Sequence, residues 1–353
     1  MHRAVLAVVL LASVPCIWDS DTLGDELRGL PDALRLVTGR WYRHSDDYYA
    51  ARIATLPARL EAEPGDLPAY DDLAVAYERR GAHDDALDVL ARKRAALDRL
   101  PADDAQAKEH RYRELANRGT VLAHAGRFDE ALPVLEAAIA LNPAAHFGRE
   151  RWQIAAIRYV AACKRDPSLW SSHDFLTFSN VLPEPMAPPI TGRASYTVQR
   201  LDEPRRVPWD ELYTAIAGML RFGGRESAEL YRTLGDLHLA KQDLHLAWWA
   251  YGVAIERGHP AAETIAAARA SIVEHWREAM RIERKRIPIP TDDEFRAVRA
   301  SGAKWLAAFQ RFERAAIGAG EDVTSEAALK RRLARADAEV EELLPTGAKA
   351  TTR

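Results

Sequence analysis

Leu115-x-x-x-Gly119-x-x-Leu122-x-x-x-Gly126-x-x-x-x-Ala131-x-x-x-Leu135-x-x-Ala138-x-x-x-x-Pro143 is the stretch that decides the fold. Its first half places apolar or small residues three and four apart, the spacing of one face of an α-helix. Gly126 stands where that helix must stop and reverse. Ala131, Leu135 and Ala138 then resume the same period. Two further segments repeat the plan. One reads Tyr70-x-x-Leu73-Ala74-x-x-Tyr77-x-x-x-Gly81-x-x-x-x-Ala86-x-x-x-Leu90. The other reads Tyr231-x-x-Leu234-Gly235, then Ala247-x-x-x-Tyr251-x-x-Ala254, ending near Pro260, with Gln242 where the others carry glycine. Ala86, Ala131 and Ala247 are small enough to let two antiparallel helices approach, and Leu90, Leu135 and Tyr251 fill the space beside them. A helix pair of this kind has an apolar face that it cannot bury alone, so pairs must stack.

These segments resemble the tetratricopeptide-repeat (TPR) family, the second matching most of its signature positions. The resemblance implies an all-α fold, a TPR-like solenoid of antiparallel helix hairpins. It also implies a concave groove lined by the first helix of each unit. Carried onto this chain, the groove positions are Asp71, Val75, Glu78 and Arg79, then Arg113, Ala116, Thr120, Ala123 and His124, then Glu229, Arg232, Asp236, Leu239 and Ala240. The Lys and Asn pattern of the carboxylate-clamp members is absent, so capture of chaperone C-terminal peptides is not implied. Trp18-Asp19-Ser20-Asp21-Thr22-Leu23 looks like the mature start of a group of exported bacterial repeat proteins of unassigned role. A plainer reading is a Trp that anchors the chain, with Asp21 or Thr22 capping a helix.

The units are unevenly spaced. Ala86 and Ala131 lie 45 residues apart, 11 more than the family's repeat; the surplus falls around Leu100 to His110, which predicts a longer second helix or exit loop. Residues 17–66 read as a degenerate N-terminal cap with helices over Leu34–Trp41 and Tyr48–Leu60, and 67–165 as TPR units. Residues 166–208 are a long loop rich in Pro, Ser and aromatics, whose prolines exclude a long helix. Residues 209–285 hold a helix and the third unit. Residues 286–345 form a C-terminal helical hairpin, opened by the capping box Thr291-x-x-Glu294, with Trp305, Phe309 and Phe312 on one face and Leu329 to Leu343 at heptad-like spacing. Residues 346–353 are a frayed tail.

The first residues resemble an address label. Met1-His2-Arg3 is a short basic start, and Ala4 to Val14 is unbroken apolar or small sequence, too short to span a bilayer but matching the core of a secretory signal. Ser13-Val14-Pro15-Cys16 resembles a lipoprotein box, which would make Cys16 the lipidated first residue of an exported, envelope protein. The box prefers a large aliphatic residue at Ser13 and a small one at Pro15, and plain cleavage in residues 1–16 is the competing reading.

The 353-residue chain is 48% hydrophobic and 29% charged, and its 49 Lys and Arg nearly balance 52 Asp and Glu. That excludes the broad basic field of a nucleic-acid binder and leaves membrane contact to a lipid on Cys16. Two cysteines give no disulfide framework, and Cys163 reads as a buried hydrophobe. Phosphate-loop, zincin, serine-hydrolase and paired-cysteine motifs are missing. His238 and His245 straddle a turn, and Glu274, His275 and Glu278 read as a solvated face, so neither metal nor cofactor is expected. The sequence thus points to a non-enzymatic adaptor that takes a protein or peptide segment in its groove. Two alternatives stand beside it: an envelope hydrolase built around His173 and Asp174 in the 166–208 loop, and a structural protein that self-associates through its C-terminal helices.

Overall fold

The computed structural model describes residues 17–28, 32–101, 103–142, 149–179, 209–223, 227–284 and 286–347. Residues 1–16, where an export signal and the lipidation candidate Cys16 were expected, and residues 180–208 and 348–353 lie outside them. The described residues are all-α, with sixteen helices and no strand. The first six are α1 (Ser20–Arg28), α2 (Ala33–Thr38), α3 (Asp46–Ala62), α4 (Leu67–Arg79), α5 (His83–Leu97) and α6 (Ala105–His124). Next come α7 (Phe128–Leu141), α8 (Arg149–Arg165), α9 (Leu169–Ser172), α10 (Phe175–Phe178) and α11 (Trp209–Phe222). The last are α12 (Ala228–Ala240), α13 (Leu244–Glu256), α14 (Ala262–Glu283), α15 (Asp292–Gly318) and α16 (Glu326–Glu339).

Helices pack against their neighbours in chain order, most closely in the pairs α4–α5, α6–α7 and α12–α13. Each pair is joined by the same turn. Gly81 and Gly126 sit at φ +76°, and their successors Ala82 and Arg127 donate back to Tyr77 O and Leu122 O, both at 2.9 Å. The third pair keeps this geometry without glycine: Gln242 has φ +62°, and Asp243 N reaches His238 O at 2.9 Å. Ala86, Ala131 and Ala247 are all fully buried, as are Leu90 and Leu135, with Tyr251 nearly so. At Gly119 a Cβ would stand 2.5 Å from Leu135 Cγ, and at Gly235 it would stand 2.5 Å from the Tyr251 ring. These glycines set how near the paired helices come.

Several boundaries differ from those read in the sequence. The surplus residues before His110 lengthen α6 backwards, with 98–104 as the connection, because Asp104 accepts from Ala107 N at 2.7 Å and starts the helix early. The helix expected over Leu34–Trp41 is α2, which ends at Thr38, where Gly39 turns left-handed at φ +77°, and α1 precedes it. Residues 166–179 are not extended; α9 and α10 pack on α8. The last helix stops at Glu339, leaving Leu343 and Leu344 exposed. Thr346 is tied by its N–H to Glu294 Oε1 at 2.5 Å.

The C-terminal hairpin packs α15 against both α2 and α3, so the stack closes on its own beginning. His44 Nδ1 and Ser45 N each lie 2.6 Å from the Glu313 carboxylate. Arg299 donates to Val37 O, and Gln310 donates to Arg43 O. Gly302 makes the closest approach: a Cβ there would stand 2.0 Å from Thr38 O.

Two stability predictions follow from this geometry. Gly302→Ala should lower stability in urea by about 1–3 kcal/mol through overpacking against a backbone oxygen, whereas Gly318→Ala, with nothing within 4 Å, should not. Gln242→Gly relieves a left-handed strain of about 1–2 kcal/mol and should raise the urea midpoint; an unchanged or lower midpoint would contradict the assignment of strain to that turn.

Candidate functional site

The groove residues expected from the sequence do face one another across the repeat helices, but the chain itself covers them. Asp71 is 2% exposed, Val75 1%, Glu78 1%, Thr120 fully buried, His124 5%, Glu229 fully buried, Arg232 7% and Asp236 4%. Arg79 and Arg113 are half-buried. These positions are therefore covered, in part by residues 18–20 on α4 and α6, by Gln153 of α8 on Thr120 and by residues 170–175 on α12.

Residues 17–19, which lead into the first turn of α1, are held by polar side chains of the neighbouring helices. Trp18 N donates to Asn117 Oδ1 at 2.6 Å, and Asn117 Nδ2 returns a bond to Trp18 O at 2.9 Å. A second bond from that amide reaches Asp71 Oδ1 at 3.0 Å, and Asp71 Oδ2 lies 2.5 Å from Lys93 Nζ. Lys93 is fully buried, and burial, opposed by Asp71, draws it below the usual lysine range. Ser20 N and Oγ both donate to Asp72, at 2.8 and 3.0 Å. Arg52 takes Asp19 at 3.1 Å and Asp21 at 3.0 Å, and Tyr48 donates to Asp21 at 2.8 Å. The Trp18 indole packs with Tyr112, Ala116 and Ala138, with the Arg113 guanidinium 5.4 Å from its ring. Trp18 therefore anchors the segment, but the cap of α1 is Asp19, which accepts from Thr22 N at 2.8 Å, rather than Asp21 or Thr22.

On α12 the arrangement recurs with different residues. Arg232 Nη1 donates to Trp170 O at 2.8 Å and His173 O at 2.7 Å. Glu229 accepts from Phe175 N at 3.1 Å and from His259 at 2.8 Å. Tyr251 donates to Asp236 at 2.6 Å. His124 lies 2.6 Å from Glu78, and Gln153 donates to Thr120. Sequence reading missed Asn117, Asp72 and Arg52, although Asn117 sits among the groove positions on the helix face that carries them.

The His173–Asp174 pair does not assemble as a catalytic couple. The Ser172 hydroxyl lies 2.9 Å from His173 Nδ1. The fully buried Asp174 carboxylate, however, caps α10 through Thr177 N at 2.7 Å instead of orienting the imidazole. His238 is within 3.6 Å of Asp243, whereas His245 reaches Pro288 O, so these two histidines have separate partners. Among the described residues no group of three or more His, Cys, Asp or Glu is placed to hold a metal ion, and no helix is long and apolar enough to cross a membrane. Cys163 is buried, and burial pushes its thiol up to about 12.

Where residues 17–22, residues 43–49, α4, α11 and α15 meet, a cavity of about 190 Å³ remains, lined by Asp19, Asp21, Thr22, Arg43, His44, Asp46, Tyr49, Arg79, Arg221, Phe222 and Gln310. No protein-family model matches the chain, and neither curated proteins nor solved structures contain one similar to it.

Asp236 is pushed well above the ordinary carboxylate range, first by burial and then by the charge of Asp174, against Arg232 and the Tyr251 hydroxyl. The folded chain thus holds this proton more tightly than the unfolded one. Stability from this site is full below the ordinary Asp value of about 4 and is lost as pH rises through the raised value. Asp236→Asn keeps an acceptor for Tyr251 and places a donor toward Asp174. Its urea midpoint should gain on the native protein between pH 5 and pH 8, and an equal difference at both pH values would remove the assignment.

Proposed function

We propose that this chain is a non-enzymatic interaction protein of the tetratricopeptide-repeat kind, exported to the cell envelope, whose inner helix faces take hold of extended polypeptide. One observation carries the reading: α6 and α4 already grip Trp18 and Ser20, with Asn117 bonded to both the N–H and the C=O of Trp18 and Asp72 accepting from Ser20. A bidentate amide of this sort recognises backbone rather than a particular side chain, as peptide-binding surfaces do. The three helix pairs with matched turns support the repeat assignment. The basic-then-apolar pattern of residues 1–14 supports export. A protein or peptide partner would meet this face by taking the place of the chain's own segment.

Binding of a fluorescein-labelled peptide spanning residues 17–23 to the full chain, read by anisotropy, tests this. The native protein should bind weakly, since its site is filled. Trp18→Ala loosens the built-in segment and should bind the peptide at least ~10-fold more tightly, because truncating a buried aromatic removes about 3–5 kcal/mol of packing. Adding Asn117→Ala to that variant should abolish the gain. Failure of the Trp18→Ala protein to bind would count decisively against a peptide-gripping face.

A further inference from the structure

We propose that the cavity lined by Arg43, Arg79, Arg221, His44, Tyr49 and Gln310 is a binding site for a small oxyanion, the shared chemistry of inorganic phosphate and of a short dicarboxylate. The inference does not depend on the peptide-gripping role, although the N-terminal segment supplies part of the cavity wall.

The cavity is built by convergence. Its guanidinium groups come from three separate parts of the chain: residue 43 ahead of α3, residue 79 at the end of α4 and residue 221 near the end of α11. Two of them are fixed in orientation by aromatic faces. The Arg43 guanidinium carbon lies 4.5 Å from the Trp41 ring centroid, and that of Arg221 lies 4.4 Å from the Tyr42 centroid. Cation–aromatic contact of this kind fixes the plane of a guanidinium.

Arg79 carries the specific signal. Its Nη2 donates to Phe222 O at 2.8 Å, while its buried Nη1 has no hydrogen-bond acceptor, the nearest carboxylate oxygen being Glu78 Oε2 at 3.7 Å. A buried N–H of a charged group left without an acceptor costs more than a neutral one, about 1–3 kcal/mol or above. An oxyanion in the cavity supplies that acceptor.

Carboxylates also line the space, and their partners decide the sign of the ligand. Asp19 is satisfied by Thr22 N, Thr22 Oγ1 and Arg52. Asp21 is satisfied by Tyr48 and Arg52, with His44 Nε2 3.7 Å away. Asp46 is 81% exposed and stands at the solvent side. The acids facing the cavity are thus paired within the wall or hydrated, and Arg79 retains a donor. Burial brings both Arg43 and Arg221 down to about 10, against Tyr231 for the first and Asp21 and Asp19 for the second. Two cations so desolvated gain from a further anion.

Size narrows the class. At about 30 Å³ per water, 190 Å³ corresponds to about six waters. That admits phosphate or a four-carbon dicarboxylate and falls below the roughly 300–1,000 Å³ of sites for larger ligands.

The test is thermal unfolding of the full chain with increasing sodium phosphate or sodium succinate, against sodium chloride at matched ionic strength. Either anion should raise Tm by at least about 2 °C beyond the chloride control, with saturation, and the one that does so identifies the source. Arg79→Gln should remove the shift. If that variant does not fold by far-UV circular dichroism, Tyr49→Phe takes its place and should reduce the shift. Absence of any shift beyond chloride for both anions, or an undiminished shift in the folded variant, overturns the proposal.

Discussion

An ionised side chain taken out of water must meet a partner or it costs several kcal/mol, and this molecule depends on meeting that demand along its inner face. Asp71 with Lys93, Glu78 with His124, Glu229 with His259 and Glu313 with His44 are all held within 2.8 Å. Each partner comes from a different helix or connecting segment than its carboxylate. Removing one member of such a pair costs about 3–5 kcal/mol, so the polar contacts discriminate between the native stacking of helices and a shifted one. Apolar burial brings the pairs together; matched donors and acceptors determine which pair sits against which.

The same demand explains why the inner face is covered by chain. A face carrying Asp71, Glu78, Glu229, Arg232 and Asp236 could remain open and hydrated. Here Trp18 and Ser20 bring backbone and side-chain groups to α6 and α4, and Trp170, His173 and Phe175 bring theirs to α12. Arg52 shows the economy of the arrangement, since one guanidinium serves both Asp19 and Asp21. Glu313 is similar: burial would raise it, but hydrogen bonds and charge from His44 and Ser45 hold it below its ordinary value.

Much of the architecture was legible because it rests on local periodicity. The Gly–Ala spacing gave three helix pairs and their turns, down to the buried Ala86, Ala131 and Ala247. Even Gln242, the departure from the pattern, takes up the left-handed conformation of its glycine counterparts. Contacts between distant parts of the chain were not legible. Nothing in the order of residues 17–44 announces that they lie on α4, α6 and α12, and Thr38 against Gly302 joins positions with no local relation. The groove positions were read as lining an open surface; that the chain would cover them required knowing where Trp18 and Arg232 find their partners. Asn117 stands within the quoted repeat, yet an asparagine there looks the same in sequence whether it meets solvent or backbone.

Closure of the stack carries a kinetic consequence. A linear array of helix pairs contacts only its neighbours and can condense from any point along its length. In this chain Arg40 meets Asp337 and His44 meets Glu313. Residues nearly three hundred positions apart therefore complete one another's environment. Loop-closure entropy must be overcome across most of the polypeptide before those contacts return anything, and a high average sequence separation slows the final step. Until α15 arrives, α2 and α3 lack one side of their packing.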